Sequence, residues 1–405
     1  MEFEMTYTSE QESFRREVRA YLETVIPPLG IKTGAGDGGY EQWLKRREVG
    51  KKLGEKGWLW PTMPKEYGGG GLTGDHAIIL QEEMERYDLQ AHPYYDTGST
   101  VGAPSIFVWG SEEQKRAFLP SMFTGKVVSW QLLTEPEAGS DLASVKTLAV
   151  RDGDDYVING HKTFVGSSHD VDQFWTILMT DPKAPRHENV SWFIVPSSLP
   201  GITIMPLDLM GSDNEGHKNS VFFDNVRVPA FNLIGGENNR WKVAATHLEV
   251  EHGGGGRIPT RNRFWERLSD YCKSTHFDGE PISKNPDARD TMMEILVDME
   301  VTRLFGMRNF YLVNARKPRS YGGSQSSYWN KMAGLRRTGL NGRLLGYYAL
   351  TTDATHAVCE GYIEAQQRSG IVAVHPAGTA DVQKLIMARR IGIGRTAREE
   401  AGRLE

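Results

Sequence analysis

One turn in the sequence concentrates the residue types that bind anions. The segment from Trp130 to Thr147 reads WQLLTEPEAGSDLASVKT and brings hydroxyl side chains, proline and glycine close together. A turn of this composition exposes backbone N–H groups, which suit a phosphate or another anionic group. The alternative interpretation is a hydroxyl-rich turn that binds no ligand.

A second candidate is a carboxylate on a predicted helix. Glu251 lies three residues after Leu248, at the edge of an apolar stripe, so it can face inward. The stripe consists of Trp241, Ala244, Ala245 and Leu248. Burial beside apolar residues makes a carboxylate a stronger base, able to remove a weakly acidic proton. Glu249 faces the opposite side, and we expect it to be solvated. The structural alternative for Glu251 is an ion pair at the helix end with an arginine such as Arg257.

Patterns for several other chemistries are missing. The eleven histidines have neither H-x-x-x-H nor H-E-x-x-H spacing, so we expect no metal site. No G-x-G-x-x-G follows a predicted strand, and no G-x-S-x-G nucleophile elbow is present. The EYGGGG run lacks the Lys-Ser/Thr ending of a P-loop, and we predict a loop near a pocket entrance.

Composition limits the class of protein that carries these residues. The chain has 405 residues, 39% hydrophobic and 24% charged, which indicates a globular protein of two or three domains. A net charge of −5 gives no basic surface for nucleic acid. We expect no membrane span because no sufficiently long apolar run occurs. The acidic N-terminus lacks a signal-peptide core, which predicts a cytoplasmic protein.

The elements that must position the candidate residues follow in three blocks. The first third is predicted to be helical; its first helix begins with a capping box of Ser9 and Glu12 and ends at Pro27. Around Val127 the hydrophobic period changes to 2, which predicts strands of a barrel or sandwich, with a two-residue hairpin turn at Asn159-Gly160. The helical period returns at Arg240. We therefore predict an α+β multidomain fold with domains at residues 1–126, 127–237 and 238–405.

This order and several strings resemble the acyl-CoA dehydrogenase family. The segment from Trp130 to Thr147 resembles the family's flavin-binding segment, T-E-P-x-A-G-S-D, and HKTFVGSS stands at its second flavin contact. FFDNVRVPAFNLIG resembles the end of the family's β-domain, and PAGTADVQKLIMARRIG resembles the C-terminal helix that meets the flavin. The resemblance covers nearly the whole chain and implies an N-terminal helical domain, a central β-domain and a C-terminal four-helix bundle.

The resemblance also implies FAD as cofactor and an acyl-CoA thioester as substrate. By that resemblance, the FAD-binding residues are Gln131, Leu132, Leu133, Thr134, Gly139, Ser140, Phe164, Val165, Gly166, Thr379 and Asp381. Residues that contact the substrate are expected to be Ser140, Leu248 and Gly255. Two positions depart from the family: Phe164 replaces a Trp that packs on the flavin, and Gly166 replaces a Thr near flavin N5. We expect one side-chain hydrogen bond to the flavin to be missing at Gly166.

The catalytic base has two possible places in the family. One is the Glu of a Y-E-G-T string, whose match here is Pro376-Ala377-Gly378-Thr379, so this place holds no base. The other is the Glu of an L-x-x-E-R string on the first helix after the β-domain, which matches Glu251. The implied reaction is removal of the α-proton by Glu251 and transfer of the β-hydride to FAD N5. Glu249, or no base in this chain, are the alternatives.

The glycines after Glu251 suggest the size of the substrate. Gly253 to Gly256 interrupt a segment expected to be helical, although each glycine lowers helix stability by roughly 1 kcal/mol relative to Ala. Missing side chains beside the base would open volume for a bulky, aromatic or ring-bearing acyl group. The alternative is a helix break unrelated to the substrate.

Assembly and electron transfer are inferred from the resemblance as well. The chain lacks the R-x-x-F-G string whose Arg reaches the flavin of a neighbouring subunit in many family members. We therefore keep two assemblies open, a homotetramer and a heterotetramer with a related subunit that completes the flavin site. An electron-transfer flavoprotein is the expected oxidant. Direct reduction of O2 by an oxidase and a non-catalytic partner subunit are the functional alternatives.

Overall fold

The computed structural model describes most of the chain in two compact units. It covers residues 6–31, 39–167, 169–210, 218–236, 240–251, 263–315, 317–318, 320–353 and 355–393. Within these residues the first unit extends to Leu248 and the second begins at Glu249. The predicted order of helices, sheet and helices is confirmed, whereas the domain boundaries at residues 126 and 237 stay predictions.

The first unit begins with helices. They are α1 (Ser9–Leu29), α2 (Gly39–Glu55), α3 (Gly74–Glu85), α4 (Thr97–Trp109) and α5 (Glu112–Phe123). The capping box of α1 uses Thr8 and Gln11, one residue before the predicted pair. Pro27 does not end this helix, because it lies in the last turn and Gly30, in a left-handed conformation, closes the helix with an N–H bond to the Pro27 carbonyl.

The glycine run of EYGGGG is a tightly packed turn. A Cβ atom at Gly69 would lie 2.3 Å from the Met63 carbonyl oxygen, and one at Gly70 would lie 2.7 Å from that of Pro61. Glycine is needed at both positions because the two backbone segments approach closely. The run therefore has a packing role, which the prediction of a loop near a pocket entrance did not anticipate.

A single sheet follows the helices of the first unit. Its strands are β1 (Ser129–Leu132), β2 (Leu148–Asp152), β3 (Asp155–Val165), β4 (Gln173–Met179), β5 (Val190–Pro196), β6 (Ile202–Leu207), β7 (Lys218–Pro229) and β8 (Leu233–Ile234). The strand order is β6-β7-β3-β2-β4-β5-β8, and β1 pairs in parallel with β4. The core between these strands is apolar and includes Leu132, Phe174, Phe193 and Val221, all fully buried.

The predicted hairpin at Asn159-Gly160 is wrong. Strand β3 runs through both residues, with a shift in its register against β7 between Ile158 and Gly160. The β2–β3 turn instead contains Gly153, at φ +64°. Gly160 is required for a different reason, because a Cβ atom there would lie 2.6 Å from the Thr147 side chain. An Asn-Gly pair can thus mark a close approach within a strand.

Helices return at the end of the first unit and form the second. They are α6 (Arg240–Glu249), α7 (Arg263–Ser274), α8 (Pro286–Asn314), α9 (Gly322–Leu345), α10 (Tyr362–Val372) and α11 (Ala380–Arg390), with a two-stranded ribbon of β9 (His276–Phe277) and β10 (Glu280–Pro281). Helix α9 packs against α8, α10 and α11. Across the described ranges, none of these helices combines the length and hydropathy that crossing a bilayer requires.

Candidate functional site

Two segments that resemble the family's flavin-binding strings are distant in sequence but lie side by side in the first unit. The Thr163 N–H donates to the Thr134 carbonyl oxygen at 2.9 Å. The Lys162 ammonium donates to the Leu133 carbonyl oxygen at 3.1 Å. These bonds place residues 131–134 next to residues 164–166 and so bring seven of the FAD-binding candidates together. Gly139 and Ser140 lie in the same unit.

A buried ion pair that no sequence motif indicated supports this junction. Lys162 lies 2.8 Å from Glu135, and their side chains are 0% and 5% exposed. Burial lowers the pKa of Lys162 to about 8, although the Glu135 charge opposes this change. Burial would raise the pKa of Glu135, but the Lys162 charge and hydrogen bonds outweigh it and lower that pKa. Glu135 also accepts N–H bonds from Lys146 and Thr147 at 2.5 and 3.0 Å, so it closes the T-E-P turn.

The surface of this junction has the properties that a flavin site needs. Phe164 is 57% exposed and has a positive φ of 57°, which turns a large aromatic side chain outward. Gly139 and Ser140 are exposed, and a Cβ atom at Gly139 would meet nothing within 4 Å. An aromatic face beside an open turn of hydroxyl and N–H groups fits the ring and phosphates of FAD.

Two of the expected FAD contacts can act only through their backbone. The Leu132 side chain is fully buried in the sheet core, and that of Val165 is 3% exposed. The carbonyl oxygen of Leu132 already accepts a hydrogen bond from the Thr176 hydroxyl at 2.8 Å. Because alternate residues of a strand face opposite sides, the outward positions are those of their neighbours, Gln131 and Phe164.

Trp130 explains why position 166 is glycine. A Cβ atom at Gly166 would lie 2.3 Å from the Trp130 indole, and Gly166 has φ +71°. The indole is 2% exposed, so it fills the space that a larger residue at 166 would need. The side-chain hydroxyl that the family places here is thus replaced by a packed ring, and the Lys218 ammonium holds the Gly166 carbonyl at 3.0 Å.

Helix α6 presents a different buried face from the one predicted. Val243, Ala244 and His247 are fully buried, whereas Ala245 is exposed and Leu248 is half-buried. His247 has no sequence signal, because a lone histidine gives no motif. Its Nδ1 atom accepts the Trp175 indole N–H at 3.0 Å, and the amide nitrogen of Gln131 lies 3.0 Å from Nε2.

The remaining candidates lie in the second unit or outside the described residues. Glu251 is half-buried in a π-helical turn, while Glu249 is exposed. Burial lowers the pKa of Lys331, and the smaller effect of the Glu251 charge opposes this change. Lys331 donates to the carbonyl oxygens of Ala373 and Pro376 at 3.2 and 2.5 Å. Its ammonium therefore interacts electrostatically with Glu251 and binds the backbone of the turn just before Ala377.

Thr379 and Asp381 have structural roles in the second unit. The Thr379 hydroxyl caps helix α11 by accepting the Val382 N–H at 3.1 Å. Asp381 lies in the first turn of that helix, where a negative charge is favourable, and pairs with Lys384 at 3.2 Å. Gly255 and the glycine run around it lie outside the described residues.

Comparison with known proteins gives consistent matches. Models of the acyl-CoA dehydrogenase N-terminal and middle domains match residues 8–126 and 131–226. The acyl-CoA dehydrogenase FadE29 of Mycobacterium tuberculosis is 30% identical over 388 residues, 94% of this chain and 96% of that protein. A structure described as "Tcur3481-Tcur3483 steroid ACAD" has 29% identity and a TM-score of 0.81, covering 97% of this chain and 100% of the other. The ChsE4-ChsE5 complex from Mycobacterium tuberculosis has 26% identity and a TM-score of 0.78, covering 97% and 100%.

Proposed function

The chain belongs to the acyl-CoA dehydrogenase family, and from this we propose that it catalyses the FAD-dependent α,β-dehydrogenation of an acyl-CoA whose acyl group is bulky and ring-bearing. Members of this family are oxidoreductases that act on acyl-CoA. The observation that carries the cofactor assignment is the junction at which Thr163 bonds to Thr134, beside the exposed face of Phe164. The preference for a bulky acyl group rests on Gly253 to Gly256 and on the similarity to a structure described as a steroid enzyme.

Residues of the first unit would hold FAD in this proposal. Phe164 offers its ring face, the turn from Thr134 to Ser140 offers hydroxyl and N–H groups, and the Glu135–Lys162 pair keeps that turn in place. When bound, FAD would accept the hydride from the substrate β-carbon. The buried indole of Trp130 lies against the backbone of Gly166.

Glu251 is the proposed base. Its carboxylate would accept the α-proton of the thioester, a weak acid that ionises when the developing charge on the carbonyl is stabilised. Glu249 is a weaker candidate because its side chain is exposed. Replacing Glu251 by Gln keeps the shape of the side chain and removes the base. We expect E251Q to retain FAD and to lose turnover by at least about a hundredfold, the contribution typical of a general base.

Anaerobic bleaching of the flavin by a panel of acyl-CoAs tests this proposal on the purified protein. Bleaching by ring-bearing acyl-CoAs, absent in E251Q and retained in the matched variant E249Q, is the expected result. Retained bleaching in E251Q would refute the assignment of the base. A clear preference for short straight-chain acyl-CoAs would refute the assignment of a bulky acyl group while leaving the proposed reaction class intact.

The partners are proposed on the same basis. We expect an electron-transfer flavoprotein to reoxidise the enzyme, and oxygen consumption without an added acceptor would instead identify an oxidase. A heterotetramer with a related subunit is favoured by the similarity to paired-chain structures, one of them described as a complex. Co-purification of an unlike chain with half a flavin per subunit would support this assembly, and one flavin per identical subunit would support the homotetramer.

A non-catalytic subunit is one of the functional alternatives. The missing hydroxyl at position 166 favours it, because the flavin site would lack one side-chain contact. Gly166 is instead the residue that fits against Trp130, so it is explained by packing. Ala377 remains consistent with a chain in which Glu251 supplies the base.

A further inference from the structure

Lys218 and Asn219, the first two residues of β7, bind three consecutive backbone carbonyls with their side chains. The Lys218 ammonium donates to the carbonyl oxygen of Gly166 at 3.0 Å. The Asn219 amide donates to the carbonyl oxygens of Val165 and Ser167 at 3.2 and 2.8 Å. Residues 165–167 and Asn219 are all buried. Side-chain hydrogen bonds therefore hold the backbone around position 166, at the point where strand β3 ends.

A second contact holds the Lys218 ammonium in place. Its nitrogen lies 4.9 Å from the centroid of the Tyr95 ring, within the range of a cation–π interaction. Within the residues that the structure describes, no carboxylate forms an ion pair with Lys218. The side chain is half-buried, so water screens its charge only in part. Lys218 therefore brings an unneutralised positive charge to the backbone of Gly166.

Position 166 is where this chain lacks the side-chain hydroxyl that the family places near flavin N5. The Trp130 indole fills the space beside Gly166, so a larger residue there cannot restore the lost hydrogen bond. A positive charge needs no particular alignment with the ring, because its effect acts in all directions and falls gradually with distance. The flavin ring gains negative charge on reduction, and a fixed cation nearby stabilises that charge.

We propose that the charge of Lys218 raises the reduction potential of FAD and so compensates for the hydroxyl missing at Gly166. The inference rests on the proposed function, since it requires FAD beside residues 164–166. A higher potential favours transfer of electrons from the acyl-CoA to the cofactor. Lys218 touches none of the reacting atoms in this proposal and acts only through its charge, while Asn219 helps to hold the backbone between them.

Three variants of Lys218 separate its charge from its hydrogen bond to Gly166. K218R keeps both the positive charge and the N–H donors. K218Q keeps an N–H donor but loses the charge, and K218M loses both while keeping an unbranched side chain. The matched control is K126M, which removes the charge of an exposed lysine in the same unit. If K218M does not fold, the comparison of K218Q with K218R still tests the charge.

The measurements are the flavin reduction potential of each purified variant and the dissociation constants of oxidised and reduced FAD. We expect K218M and K218Q to lower the equilibrium constant for two-electron reduction about tenfold, which makes the potential about 30 mV more negative. By linkage, the affinity for reduced FAD should fall about tenfold relative to the affinity for oxidised FAD. K218R and K126M should both stay near the potential of the wild type.

An unchanged potential in K218M, or an equal decrease in K218R and K218M, would overturn the inference. An unchanged potential in K218Q would also overturn it, because the effect would then belong to the hydrogen bond with Gly166. A decrease in K126M as large as that in K218M would assign the effect to the overall charge of the protein and overturn it as well. In all these cases the wild type still binds FAD, whereas a wild type that binds no FAD would refute the proposed function itself.

Discussion

Substituting Gly166 by Ala tests the packing that replaces a family hydroxyl. The new Cβ atom would lie 2.3 Å from the Trp130 indole, and the residue would have to keep φ near +71°. A left-handed conformation costs a non-glycine residue about 1–2 kcal/mol. Overpacking adds about 1–3 kcal/mol. We therefore expect G166A to lower the free energy of unfolding by roughly 2–5 kcal/mol.

The two contributions separate in a double-mutant cycle with Trp130→Ala. This variant removes the indole and is itself destabilising by about 3–5 kcal/mol, because it leaves a cavity. In that background G166A should cost only its backbone part, about 1–2 kcal/mol. The cycle should thus give a coupling free energy of about 1–3 kcal/mol.

Denaturant unfolding of the apoprotein, followed by far-UV circular dichroism, measures these differences without relying on tryptophan fluorescence. Gly139→Ala is the matched control, because a Cβ atom there meets nothing within 4 Å. It should change the free energy of unfolding by less than about 1 kcal/mol. Close packing of Trp130 on Gly166 is refuted if G166A is as stable as this control, or if G166A lowers the free energy of unfolding equally with and without Trp130.

Two further predictions concern buried ionisable side chains. Lys162→Met breaks the 2.8 Å pair with Glu135 and should destabilise the protein by about 3–5 kcal/mol. Unfolding curves should show that the double variant with Glu135→Gln loses less unfolding free energy than Lys162→Met alone. Equal losses in the two variants would contradict a buried pair. Burial raises the pKa of Asp96 to about 7, so the native state favours its protonated form. The stability it contributes is present in acid and is lost as the pH rises toward that value. Relative to Asp96→Asn, the wild type should lose about 3 kcal/mol between about pH 5 and about pH 8, and a pH-independent difference between the two proteins would refute this.

Local patterns were sufficient for the architecture. The change from period 3.6 to period 2 near Val127 and back at Arg240 correctly predicts the order of helices and strands, because each period reflects which side of an element meets the core. Predictions failed where one local sequence signal is compatible with more than one backbone structure. Asn159-Gly160 lies within β3 because its glycine meets Thr147, and Pro27 lies inside α1 because the last turn can accommodate it.

For the site, the sequence itself determined which segments carry the chemistry, through the strings around Thr134, Phe164 and Glu251. Only the tertiary structure decided how the first two meet, that Trp130 requires glycine at 166, and that His247 lies against Gln131. The partners in each of these pairs are separated by 29 residues or more, and such pairs leave no periodic trace. A pairwise contact depends on where two distant elements cross in space, which the spacing of residues along one element does not encode.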